Sequence, residues 1–596
     1  MANRLKNERH QRTLIGIVLG IVASVVYILT LEPTVSFWDC GEFIATSYKL
    51  QIGHPPGAPL YQLIAHHFCL LAGDNVSHIA YCCNLLSAIA GGVTVSFLYW
   101  SILTIVAPMR EGRKQNKASL IVPAVGALCY LFCDTAWFSA VESEVYSLAM
   151  MFCSIIFWAA LRWYNCEDSE NAPRWIILIA FLCGMGVCVH MMVLLTLPAV
   201  AVIVLCKKKN RKNIAKTCCF ALFFFVIGLT PYLIVPIRAN ANPPINCGHP
   251  CDIKKFKSYI AREQYEKAPL YPRMWRHRNG DDTNAAQWSG GDTTFVGNLR
   301  YYTTYQLGFM YGRYIVDNFI ARKNKKSGNT VWYIIPIVLA IIGIYELGRT
   351  NKKRFWWVMV LFFTSGPLLN FYLNHPCYEP RDRDYVYVLS FYAISVWIAA
   401  GSLWIWDQFH QKKKAAAAVS LVLLAGPAMM AAGNWSDHDR SRRFTALDSA
   451  SNILNSCDKD AILFTWGDND TFPLWYAQQV EGKRTDIQIA NVNLIGYHRF
   501  FQILEENMLS ERCYLSQYAY DQLHQYFEHR IQLVGMAYQI KATRCGDIDI
   551  EAFKRHLDNG IEWHDTTGVY LDAVSHDFLK RYQLAVEKYD KSLSTR

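Results

Sequence analysis

A chain of 596 residues with 52% hydrophobic and only 18% charged residues, carrying 18 Trp, 34 Tyr and 31 Phe, has the composition of a membrane protein. The same figures exclude a disordered chain, a collagen, a coiled coil and a disulfide-stapled secreted module. The net charge of +11 does not describe a nucleic-acid surface. Five short segments between apolar runs (1–13, 108–117, 207–216, 349–354 and 411–414) hold 21 bases against two acids, Glu8 and Glu111, which leaves the rest of the chain net negative. Basic clusters in short loops orient membrane spans, so no nucleic-acid partner is expected.

In chain order, apolar runs able to cross about 30 Å of hydrocarbon at about 1.5 Å per residue lie near 14–31, 85–107, 118–138, 145–161, 217–237, 331–347, 355–373, 386–406 and 415–432. The stretch 175–206 is too long for one helix, and two short helices meeting near His190 put all five basic clusters on one side. The expectation is a mainly α, polytopic protein of about eleven spans, with its N-terminus cytoplasmic and its C-terminus outside. The inner loop 162–174, with Glu167, Asp168 and Glu170, follows the charge rule weakly. Residues 1–31 resemble a signal peptide but lack a small-residue cleavage site, so they read as an uncleaved first helix. A transmembrane domain, 1–433, then has outer loops at 32–84, 238–330 and 374–385, and residues 434–596 form a small C-terminal periplasmic α/β domain. Seven cysteines fall outside (Cys40, Cys247, Cys251, Cys377, Cys457, Cys513 and Cys545), an odd number without a C-x-x-C repeat. Cys247 and Cys251 are close enough in sequence to pair locally.

The first outer loop reads F-W-D-C-G-E-F and then G-H-P-P-G-A-P. Asp39 and Glu42, three residues apart among aromatics just beyond a membrane span, are costly unless paired, hydrated or used. The plain alternative is a surface Asp and a capping Glu. Leu60, Leu63, Ile64, Phe68 and Leu71 space as an amphipathic helix in the membrane interface. A second acidic pair, Glu142 and Glu144 in A-V-E-S-E-V-Y, is either a supporting part of an outer-face site or a solvated turn. His190 is a supporting site residue or a hydrogen-bonded packing residue. Arg238, and Arg381 and Arg383 in the E-P-R-D-R-D-Y run with Asp384, suit phosphate contacts at this depth, or else serve as interfacial anchors and Arg-Asp pairs.

The tail reads strand 461–466, turn 467–471, helix 472–480 and strand 486–494, a βαβ unit. Asp468 and Asp470 make a D-x-D that either holds a divalent metal, Mg or Mn, or caps the helix. No other cofactor is expected, since no P-loop, G-x-G-x-x-G, G-x-S-x-G or H-E-x-x-H is present.

The motifs P-T-V-S-F-W-D-C-G-E-F-I-A, G-H-P-P-G-A-P-L, A-V-E-S-E-V-Y, N-P-P-I-N, R-E-Q-Y, P-R-D-R-D-Y and G-D-N-D-T-F-P-L-W-Y, spread over about residues 30–500, resemble a Bacteroidetes multi-span membrane family related to the plexin-type protein O-mannosyltransferase. The resemblance implies a glycosyltransferase C-type enzyme in the bacterial inner membrane that uses a polyprenyl-phosphate-linked sugar or glycan. Its acidic residue in the first outer loop, the catalytic base, matches Asp39, with Glu42 as second acid. On that reading the partners are the lipid-linked donor, exported acceptor proteins and membrane lipids. His54, Arg238, Arg381 and Arg383 then bind the donor, and transfer to Ser or Thr inverts the anomeric centre. Two rivals are a non-catalytic assembly subunit and a lipid-linked glycan transporter, although no repeat relates two halves of the chain.

Overall fold

The computed structural model describes residues 2–491 except 111–117, 167–171, 208–213, 264, 266, 276–282, 324–327, 329, 378 and 380. Two of the inner basic clusters in large part, the acids Glu167, Asp168 and Glu170, and Cys513 and Cys545 therefore lie outside the described residues. In chain order the elements that frame the site are helices α1 (Ala2–Leu29), α2 (Cys40–Tyr48), α3 (Ile79–Val106), α4 (Ile335–Thr350) and α5 (Val388–Phe409), strand β1 (Ile462–Thr465), helix α6 (Asp468–Gln479) and strand β2 (Gln488–Asn491).

Among the described residues seven helices are long and apolar enough to cross a membrane: Glu8–Leu29, Val76–Met109, Val145–Tyr164, Lys216–Asn240, Lys352–Leu373, Asp384–Phe409 and Lys414–His438. Two shorter apolar helices, Ala172–Val187 and Met191–Leu205, fill the stretch expected to break near His190, where the backbone is extended (φ −162°, ψ 141°). The run at 118–138 is not one helix. It is three short ones, Ala118–Ile121, Ala124–Leu131 and Asp134–Ala140, interrupted around Pro123 and at the extended Cys133 (φ −70°, ψ 145°).

The chain divides into two compact units, the first formed by 1–36, 57–234 and 263–444, and the second by 37–56, 235–262 and the part of the chain from 445. In the first unit α1 runs along α3 and α4 along α5. A Cβ on Gly343 would lie 1.9 Å from the Trp397 carbonyl oxygen, and one on Gly401 1.9 Å from that of Leu339. Glycine at both positions lets these backbones touch, the small-residue packing expected between helices that gain nothing from expelling water.

The second unit contains the βαβ unit. β1 pairs with β2 in parallel, Ile462 opposite Gln488 through Thr465 opposite Asn491, and α6 is the crossover. Its centre is polar but closed: Thr465 and Thr471 share a 2.8 Å hydroxyl contact, and the Asn491 amide donates to Thr471 Oγ1 at 2.6 Å. The helix starts at Asp468, four residues earlier than the sequence pattern suggests, because Asp470 turns back to accept from the N–H groups of Trp466 (3.0 Å) and Gly467 (3.1 Å). The described cysteines are free thiols, Cys247 and Cys251 included.

Candidate active site

In the second unit the segment 37–56 meets the part of the chain from 445. The Trp38 N–H donates to Asn469 Oδ1 at 2.6 Å, across 431 residues of sequence. Trp38 is held at φ +62°, a left-handed conformation that costs a bulky residue about 1–3 kcal/mol and places Asp39 at the N-cap of α2. A Cβ on Gly41 would fall 2.2 Å from the Phe472 carbonyl oxygen, so the glycine of W-D-C-G-E is what lets α2 lie against α6.

Glu42, in the first turn of α2, is fully buried. One carboxylate oxygen accepts from the His54 N–H at 2.6 Å, and the other pairs with the His54 ring through Nδ1. Burial alone would push the imidazolium down, but Glu42, by charge and hydrogen bond, and then Asp39 outweigh it and raise His54 to about 10. His54 is thus the cation that balances Glu42. The loop carrying it is pinned: the Tyr259 hydroxyl donates to the Gly53 carbonyl at 2.7 Å, and Ile52 exchanges backbone hydrogen bonds with Ile245 and Cys247, both 3.0 Å.

Asp468 is pushed up to about 6, by burial of its carboxyl and then by the like charges of Asp39, Glu42 and Asp470. Asp470 is committed to capping α6, which leaves Asp468 as the member of the D-x-D suited to hold Mg or Mn. Arg238 spends its Nε on the Leu50 carbonyl (2.6 Å) and its Nη2 on that of Lys49 (3.0 Å). It closes the C-terminal end of α2 and steadies the helix that begins at Asp39.

The remaining candidates belong to the first unit. Glu142 and Glu144 do not form a solvated turn; they are 3% and 1% exposed. Arg440 donates to Glu142 Oε2 at 2.5 Å and to Glu32 Oε2 at 3.2 Å, and Arg443 lies 3.6 Å from Glu32. Glu32 is raised by burial against the pull of both arginines and of the Ser36 hydroxyl. Arg381 approaches Glu144 at 3.8 Å and covers the Tyr385 ring at 4.5 Å. Tyr385 packs against Tyr146 with tilted rings 4.6 Å apart, and Tyr146 packs on His190 at 5.1 Å. His190 Nδ1 accepts from the Met192 N–H at 3.1 Å and so starts the following helical turn. Arg383 pairs with Glu379 through Nε, and Asp384 takes the Thr135 hydroxyl at 2.5 Å. The structure thus gathers Glu144, His190 and Arg381 around Tyr146 and Tyr385, and sets Glu142 in a separate buried network with Glu32 and Arg440.

Residues 39–213 match the family model described as the protein O-mannosyl-transferase TMEM260 N-terminal domain, and residues 446–563 match TMEM260-associated domain 2. Over these two segments the chain is similar to the TMEM260 protein O-mannosyl-transferases. It is 21% identical over 523 residues to protein O-mannosyl-transferase tmem260 of Dictyostelium discoideum, covering 81% of this chain and 58% of that protein. With protein O-mannosyl-transferase TMEM260 of Mus musculus it shares 21% identity over 492 residues, 80% of this chain and 63% of that one. The chain therefore spans about three-fifths of the length of these two curated relatives. Among solved structures, the Archaeoglobus fulgidus oligosaccharyltransferase in complex with Zn and sulfate aligns with TM-score 0.47 and 10% identity, over 79% of this chain and 62% of that one. ArnT from Cupriavidus metallidurans bound to undecaprenyl phosphate aligns with TM-score 0.45 and 9% identity, over 80% and 90%.

Both matched TMEM260 segments contribute to the carboxylate cluster: Asp39, Glu42 and His54 come from the first, and Asp468 and Asn469 from the second. Sequence reasoning missed Glu32, Arg440 and the His375–Glu379 pair of the 374–385 loop, which are in contact at 3.3 Å. Only that pair left a signal, its i, i+4 spacing.

Proposed function

We propose that this TMEM260 relative is a membrane glycosyltransferase that moves a sugar or glycan from a polyprenyl-phosphate-type donor to Ser or Thr hydroxyls of exported proteins. On this reading it works in a bacterial inner membrane, with the reacting face and the tail periplasmic. The reading is carried by the cluster in which Glu42 is committed to His54 and Asp39 opens α2 beside the D-N-D of the tail. With Glu42 neutralised by its histidine, Asp39 is the carboxylate suited to take the acceptor proton. The acceptor oxygen then bonds to the anomeric carbon, the bond from that carbon to the phosphate oxygen breaks, and the lipid phosphate leaves with the electron pair. A single displacement of this kind inverts the centre. Arg381 and Arg383 are proposed donor-phosphate contacts, and Arg238 a residue that positions α2. If a divalent ion takes part, Asp468 is its proposed ligand.

The test is transfer from radiolabelled polyprenyl-phosphate mannose to a secreted acceptor by purified protein in detergent. Asp39→Asn keeps volume but cannot take the proton, so it should bind donor and lose at least about a hundredfold in rate. Near-normal transfer at matched abundance would remove Asp39 and return Glu142 and Glu144 as next candidates. A wild-type protein that binds the donor without transferring sugar favours the transporter or the assembly subunit.

A further inference from the structure

His375 follows the helix Pro367–Leu373 in the first unit and is 6% exposed. Its backbone is clamped from several directions. Asn374, in the left-handed region at φ +45°, accepts from Trp275 Nε1 at its carbonyl (3.2 Å) and from Gln306 Nε2 at its side chain (3.0 Å). The His375 carbonyl accepts from Gln306 Nε2 at 2.7 Å and from the Tyr301 hydroxyl at 3.4 Å, and the Pro376 carbonyl accepts from Tyr305 at 3.4 Å. So much fixing of one short turn sets the imidazole in a single place.

The ring itself is used on one side only. Nδ1 sits 3.3 Å from Glu379 Oε1, and the other Glu379 oxygen takes Arg383 Nε. Nε2 is buried and has no hydrogen-bond partner among the described residues. An unsatisfied polar atom inside a protein is costly, and such atoms in otherwise well-made sites commonly mark a ligand position. Glu379 fixes the ring through Nδ1 at 3.3 Å, and a ring that carries both protons presents an N–H at Nε2. Arg381 and Arg383 are on the same loop, so three cation-forming side chains lie within nine residues. The phosphate of a lipid-linked sugar is a diester that keeps one negative charge and two free oxygens, and an imidazole N–H can donate to one of these in a charge-assisted hydrogen bond.

We infer that His375 Nε2 is a contact for a phosphate oxygen of the lipid-linked donor, oriented by Glu379 and fixed by the Gln306–Tyr301 clamp. The inference rests on the proposed function and adds a residue to its donor site. The first test measures binding of polyprenyl phosphate to the purified full-length protein by tryptophan fluorescence, in wild type and His375→Gln. The variant should bind at least about tenfold more weakly, with an unchanged response to a polyprenol that lacks the phosphate. Wild-type affinity in a folded variant overturns the inference and leaves the proposed function standing. Wild-type protein that fails to bind polyprenyl phosphate overturns both. A second test needs no variant: polyprenyl phosphate with a photoreactive group next to the phosphate is crosslinked to the wild-type protein and the labelled peptide is mapped. Label on the 374–385 loop is expected, and label found only elsewhere overturns the inference even if His375→Gln does not fold.

Discussion

Replacing Glu42 by Gln removes the charge that keeps His54 protonated. Burial opposes the imidazolium, and Glu42 supplies most of what carries it from 6.5 to about 10. That interval corresponds to about 5 kcal/mol at about 1.36 kcal/mol per pH unit. Because the His54 side chain is 28% exposed while that of Glu42 is fully buried, screening trims the coupling towards the low end of the about 3–5 kcal/mol typical of a broken buried pair. In Glu42→Gln the burial remains and Asp39 alone opposes it, so His54 should titrate near or below 6.5. The assay is a pH titration of ¹⁵N-histidine-labelled protein in detergent, with the His54 signal identified by its loss in His54→Gln. Stability should follow the same sign. A histidine raised on folding stabilises fully below about pH 6.5, progressively less above it, and no longer above about 10. The thermal midpoint of the wild type should therefore fall over that window, while that of Glu42→Gln should start lower and change less. A wild-type His54 titrating near 6.5, or one that stays near 10 without Glu42, refutes the ion pair.

Gly41→Ala puts a methyl group against the Phe472 carbonyl, an overpacking expected to cost about 1–3 kcal/mol. It should slow transfer through displacement of Asp39, and Ala at this position with full activity would contradict the α2–α6 contact. Arg440→Met leaves Glu32 and Glu142 buried without their shared cation, and thermal unfolding in detergent should show a loss of about 3–5 kcal/mol. Asp468 at about 6 takes up a proton as the pH falls through that value, so wild-type transfer should weaken on the acid side. Asp468→Asn should abolish this limb, and a limb that survives belongs to another group.

What could be read from the sequence was local. Asp39 and Glu42 stood out because charge three residues apart beside a membrane span needs a reason, and the tail disclosed its βαβ alternation. Partners far along the chain left no trace. A solvated turn stayed open as a reading of Glu142 because Arg440, its cation, comes 298 residues later. For Arg238 the sequence left a phosphate contact and an interfacial anchor both open, because the acceptors it meets, the Leu50 and Lys49 carbonyls, are backbone groups that any sequence supplies. The start of α6 was placed late because G-D-N-D-T reads as a turn, whereas Asp470 accepts from the N-cap Gly467 and the helix already begins at Asp468. The run at 118–138 read as one span because hydropathy averages over the breaks at Pro123 and Cys133.

The bond between Trp38 and Asn469 also fixes when the segment carrying Asp39 can take its final setting. During synthesis at about 5–20 residues per second, roughly 20 to 90 seconds separate the emergence of the tryptophan from that of its partner. Throughout that interval the first outer loop has been made without the tail that bolts it. Asp39 therefore acquires its final setting only after the nascent chain has passed Asn469, and truncated or stalled chains bear the acid without its scaffold. The setting of this acid thus waits not only for the membrane helix Lys414–His438 but for the segment after it, through Asn469.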